Sequence, residues 1–282
     1  MFKLSKERRH FVIIYLLLIF TLITLYLAPP TIQERLVMDY QEFSFSNPGD
    51  WVRLYTMHFV HLNFGHLLGN LIVFMVIFPT LYFLAEAGRD VRLFKRLLVF
   101  VFLILPPLLA IADLLVMRRY GLRYGMGFSG IDSALIGAVP YFSSNMLSRK
   151  FNFKLPPLMF SNSFMLITGG LISIVYSIFV IGIPLLIGGL LLLFYTVSNA
   201  FKEYDWNSLG KEGQKRKVAV RNFILAILFL IVGSIWAAFP RNLLGEAGMT
   251  NIFIHYLGLA STLYLFPLIE EFDVWGLTSK CT

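Results

Sequence analysis

Apolar runs of about twenty residues return eight times along this chain, and that recurrence leaves few folds open. A helix of that length satisfies its own backbone across the hydrocarbon of a bilayer, which a loop or an open strand does not. The runs lie at roughly 11–30, 64–85, 94–117, 129–146, 157–180, 183–201, 222–239 and 250–268. The pattern predicts an all-α fold: a polytopic membrane helical bundle of about eight transmembrane helices, forming a single integral-membrane domain over 1–282. Composition agrees, with 57% hydrophobic and only 14% charged residues, where soluble domains carry about 25% charged. The first run follows a basic start, "MFKLSKERRH", and lacks a small-x-small cleavage site after it, so it reads as a retained helix. The stretch from Pro157 to Ala200 is too long for one helix, and Gly182-Ile183-Pro184 predicts a turn near its middle.

Charge sets the orientation. The net charge of +8 lies in short loops between runs, so it does not point to nucleic acid. With the N-terminus inside, the inner segments hold 18 of the 24 lysines and arginines, which is the positive-inside bias. A multi-pass protein of the plasma membrane with both termini cytoplasmic is expected. The loop 118–128 breaks the bias with Arg118, Arg119 and Arg123. The single cysteine, Cys281, excludes an internal disulfide or a cysteine-rich metal site.

Polar groups are expensive inside a membrane and so are functional suspects. His58, His61, His66 and Asn70 cluster where the second run begins. Asp113 lies in the third and Ser129, Asp132 and Ser133 open the fourth. His255 opens the eighth. The second, fourth and eighth runs cross in the same direction, so these groups share one layer near the outer face. A serine hydroxyl, an imidazole and a His66/Asn70 pair spaced i, i+4 suit acyl transfer. The imidazole takes the hydroxyl proton, and fixed donors receive the oxyanion. That chemistry needs no cofactor. A metal is not expected, because the histidine spacings lack the i, i+4 pair of a helical zinc motif and no carboxylate follows. The stretch "GFSG" (127–130) also suits plain helix packing by small residues. Ser129 to Asp132 reads equally as a capping box, or as a serine beside a carboxylate that pairs with Arg118, Arg119 or Arg123. Asp113 is expected to meet Arg118 or Arg119.

These residues resemble the rhomboid intramembrane serine proteases. "WVRLYTMHFVHLNFGHLLGN" (51–70) is similar to the family's first loop and second-helix start, with Arg53, His61, His66 and Asn70 at matching spacings. "GFSG" matches its Gly-x-Ser-Gly, and "HYLG" (255–258) its histidine with a glycine three residues on. The resemblance implies a rhomboid-like core at about 50–146 and 240–268. It implies Ser129 as nucleophile and His255 as general base, with His66, Asn70 and the Ser129 N–H as the oxyanion hole. Arg53, His61, Gly127, Gly130 and Gly258 would be structural supports. The substrates would be transmembrane segments of membrane proteins, cut near the outer face of the lipid bilayer. The alternative is a non-catalytic rhomboid-like protein that binds membrane helices, although such relatives typically lack the serine or the histidine. A transporter would need paired broken helices, and none is evident. Three departures stand out: Thr262 where the family often has glycine, Ser133 where it often has tyrosine, and the added Asp132. Serine and histidine lie 126 residues apart, enough for three intervening spans, so two extra helices at about 157–201 form an insertion. The segment 240–249 is expected to cap the site from outside.

Overall fold

A computed structural model of the protein describes residues 5–238, 244–245, 248–249 and 252–272. The long helices are α1 (Lys6–Tyr26), α4 (Phe64–Ala87), α7 (Ser129–Phe151), α8 (Pro157–Val175), α9 (Phe179–Glu203) and α10 (Gly210–Ala238). Two further crossings are continuous but internally irregular. One is α5 (Val91–Val99) leading into α6 (Leu105–Arg119), and the other α11 (Ile252–Ala260) leading into α12 (Phe266–Glu271). The chain is therefore an all-α polytopic bundle and a multi-pass membrane protein. Among the described residues, seven crossings are long and apolar enough to span a bilayer: α1, α4, α5–α6, α8, α9, α10 and α11–α12.

The eighth expected run, α7, is the exception. Its 23 residues reach about 34 Å at 1.5 Å per residue, but its composition is too polar to join that set. The reason is its place. Helices α4, α8, α10 and α11 pack around it, and 17 of its residues are buried. A helix shielded by protein does not need the apolar surface that lipid demands.

The helix ends sort into two groups. Arg8 meets Glu86 at 2.7 Å and Glu7 meets Lys95 at 3.0 Å, joining the start of α1 to the end of α4 and to α5. Asp90 meets Arg149 at 2.9 Å, and Arg96 meets Glu270 at 2.7 Å. At the opposite end Arg123 reaches Asp39 at 2.9 Å and Glu42 at 3.0 Å. The ends grouped by these pairs are those that strict alternation of crossings puts together.

Two expectations about the chain's breaks are corrected. The α8–α9 turn lies at Tyr176–Ile178, with Ser177 at φ +62°, not at Gly182-Ile183-Pro184. Gly182 serves helix contact instead: a Cβ there would press on Ile174 and the Gly170 carbonyl. Pro184 is accommodated inside α9. The third crossing is not one regular helix either. A π turn, Phe100–Ile104, precedes Pro106 and Pro107, and a second, Ser261–Leu265, precedes Pro267. Proline lacks the N–H that would bond four residues back, so the ladder widens before it. The two irregular stretches meet, with Phe100 and Phe266 rings 5.6 Å apart.

The loop between α1 and α4 is ordered. It carries α2 (Pro30–Leu36), strand β1 (Met38–Asp39) and α3 (Pro48–Thr56), the last opened by Asn47, whose side chain accepts from the Gly49 N–H. β1 pairs antiparallel with β2 (Tyr124–Gly125), which lies just ahead of α7. The expected cap, 240–249, falls largely outside the described residues. Within it the backbones of Leu244–Gly245 and Gly248–Met249 pair antiparallel.

Candidate functional site

Ser129 is the first residue of α7 and is buried, 7% exposed. The capping box does not form. Phe128 is the N-cap, no side chain caps the helix, and the Ile131 and Asp132 N–H groups donate to the Phe128 carbonyl. The Ser129 N–H therefore stays among the outward-pointing amides of a helix start.

Gly127 shapes the approach. Its φ of +127° suits glycine, and its N–H donates to the Met57 carbonyl at 2.9 Å. A Cβ there would lie 2.6 Å from His66 Cε1 and 3.8 Å from Ser129 Oγ. The imidazole of α4 and the hydroxyl of α7 thus converge on the face that Gly127 leaves open. His66 sits in the first turn of α4, its N–H capped by the Asn63 side chain at 2.9 Å.

The glycines that follow set a close helix crossing. A Cβ on Gly258 of α11 would run into the Gly130 carbonyl, and one on Gly130 would press on Ile254. His255, next to Ile254 and buried, is carried to the start of α7 by this contact, near enough to His66 for their charges to interact. The packing of these two helices aligns serine with histidine. Seven residues further along α7, Gly137 gives room to Thr262, whose hydroxyl donates to the Ala134 carbonyl. The glycine missing from the turn after α11 is matched by one on α7.

The remaining expected residues form the wall behind His66. The His61 and His66 rings lie edge to face at 5.1 Å, and the Asn70 amide donates to His61 Nε2 at 2.9 Å. Burial, followed by the nearby His66, pushes His61 down to about 3, so it is a neutral acceptor near pH 7. Asn70 keeps a second N–H for a ligand. His58, pushed down by burial to about 4, bonds the Pro106 carbonyl through Nε2 at 2.9 Å. Arg53 bridges the loop between α1 and α4, meeting Asp50 at 2.7 Å and the Arg35 carbonyl at 3.1 Å.

Two expectations about carboxylates fail. Asp132 does not reach the arginines: Arg123 is taken by Asp39 and Glu42, and Arg118 donates to the Gln41 carbonyl. Asp132 is 0% exposed, and neither of its oxygens has a hydrogen-bond partner among the described residues. The buried Ser133 hydroxyl beside it is likewise unpartnered. Asp113 does not meet Arg118 or Arg119 either; it accepts from the Tyr40 hydroxyl. Tyr40, Gly125 and Gly137 were not singled out by the sequence. A positive-φ or close-packing glycine has no local signature, and Tyr40 and Asp113 are 73 residues apart. No protein-family model, curated protein or solved structure matches this chain.

Proposed function

We propose that this chain is a rhomboid-type intramembrane serine endopeptidase that cuts transmembrane segments of membrane proteins near the outer face. The observation that supports it best is the meeting of three helix starts, α4, α7 and α11, around one serine. Gly127 opens the space shared by His66 and Ser129, and Gly258 seats the histidine helix on Gly130. The basic bias of the loops supports a plasma-membrane protein with both termini in the cytoplasm.

On this reading Ser129 Oγ attacks the scissile carbonyl carbon as its proton passes to His255. The carbonyl oxygen becomes an oxyanion, received by the Ser129 N–H, the second Asn70 N–H and an N–H of His66. Collapse breaks the C–N bond, and His255 returns the proton to the departing amine. Water then adds to the acyl-enzyme by the same route and releases the acid.

The test is labelling by a fluorophosphonate together with cleavage of a single-pass substrate in proteoliposomes. Ser129→Ala and His255→Ala should each abolish cleavage, with the double variant no worse than either single. His66→Ala or Asn70→Ala should slow turnover about 10²–10³-fold. Wild-type protein that neither labels at Ser129 nor cuts would leave a membrane-helix-binding protein as the better account.

A further inference from the structure

The segment leading into Ser129 is gripped from outside by a contact that the reaction itself does not require. Strands β1 and β2 pair Met38 with Gly125 and Asp39 with Tyr124, and the Tyr40 N–H donates to the Arg123 carbonyl at 2.7 Å. The Tyr40 side chain then turns inward and is almost wholly buried. Its hydroxyl donates to Oδ2 of Asp113, an equally buried residue of α6. On the way the phenol covers Gly125 so closely that a Cβ there would fall on the ring edge and hydroxyl. Gly125 thus has the Tyr40 ring over it and Met57 Cε alongside. Two residues later the Gly127 N–H is held by the Met57 carbonyl. Two more residues bring the chain to Ser129.

We propose that Tyr40 and Asp113 are positioning residues for the Ser129 hydroxyl. The hydroxyl–carboxyl contact pins the phenol across Gly125, and Gly125 in turn fixes how Gly127 and Ser129 stand against His66. This rests on Ser129 being the nucleophile. The physical argument has two parts. A buried hydroxyl and a buried carboxyl each need a partner, so the contact is strongly favoured once both are inside. A nucleophile displaced by about 1 Å loses on the order of 10² in rate, so a clamp four residues away acts through geometry alone. The matching feature is the glycine: any other residue at 125 would push the ring out of its seat.

The deciding variant is the double exchange Tyr40→Phe/Asp113→Leu in the full chain. It removes both ends of the contact together rather than leaving one of them orphaned, and the melting midpoint is recorded alongside to establish that the variant folds. Fluorophosphonate labelling of Ser129 should nevertheless slow by about 10–100-fold. Amide hydrogen exchange in residues 124–128, which include the bonded Gly127 N–H, should speed up by about tenfold, an amount that one released constraint can produce. Asp113→Asn keeps an acceptor oxygen and should recover most of the labelling rate. Should the double variant not fold, Tyr40→Phe alone carries the same two measurements. Labelling at the wild-type rate with unchanged exchange in 124–128 would overturn the proposal. If wild-type protein is not labelled at Ser129 at all, exchange decides. Faster exchange in 124–128 then upholds the clamp while the protease reading fails, and unchanged exchange removes both.

Discussion

Helices α7 and α9 are nearly the same length, 23 and 25 residues, and they are opposites. α7 is enclosed, rich in serine, and holds a buried carboxyl. α9 packs chiefly on α8 and presents Val180, Leu191 and Phe194 outward, Val180 being 89% exposed. In water the buried helix would be the apolar one. Here the exposed helix is apolar and the buried one is not. In a bilayer apolarity records contact with lipid, and burial in protein is marked by small residues that let backbones approach.

Exchanging the two characters is the hardest test of that contrast. Leu191→Asp puts a carboxyl at the lipid face near the middle of α9 and should reduce insertion by about 2.5–3.5 kcal/mol, read as the fraction of chain integrated. Asp132→Leu makes the reverse change on α7. It removes two buried oxygens that have no partners, so thermal stability should rise by about 1–3 kcal/mol. A clear loss would show that the carboxyl finds a partner in another state of the protein.

One methyl group sharpens the comparison further. On Gly137→Ala the new carbon falls on the Leu259 carbonyl and the Thr262 hydroxyl, which should cost about 1–3 kcal/mol and lower activity as α11 shifts. On Gly188→Ala the carbon meets nothing within 4 Å, and stability should rise by up to about 1 kcal/mol through helix propensity. Melting midpoints that moved equally would mean that α7 is not tightly enclosed.

The smallest expected effect is a response to acid confined to one region. His58 and His61 are held neutral, with pKa values lowered from 6.5 to about 4 and about 3. The unfolded loop binds protons below pH 6.5 and the folded loop does not. Stability is therefore full above that pH and falls as pH drops toward 4. Limited proteolysis at pH 5 should open residues 57–63 sooner than at pH 7.5. The α8–α9 hairpin contains no histidine and should be unaffected; equal opening of both would refute the assignment.

The sequence disclosed what depends on local chemistry. Eight crossings were read from apolar runs; seven of them are long and apolar enough to span a bilayer, while α7 is more polar because protein encloses it. His66, Ser129 and His255 stood out as polar groups at the starts of apolar runs, and Gly130 and Gly258 were named as supports only through the resemblance to a known family. What lay hidden is where helices meet. Gly182 and Pro184 form a turn signal on paper, yet the contact with Gly170 assigns that glycine to packing. The helical wheel put Asp132 beside Ser129 without saying what faces it. Tyr40 and Asp113 belong to distant segments, and only tertiary structure brings them together.

The π turn between α11 and α12 carries one further consequence. Each such turn takes up about one residue relative to a regular helix, so everything beyond it is rotated by about 100°. Upstream, Gly258 seats the crossing against Gly130 at the start of α7. Downstream, Glu270 is aimed at Arg96 on α5. The turn before Pro267 therefore acts as a phase setting between the two ends of one crossing. One end can keep its seat on α7 while the other keeps its ion pair, and straightening the turn would force the chain to give up one of the two.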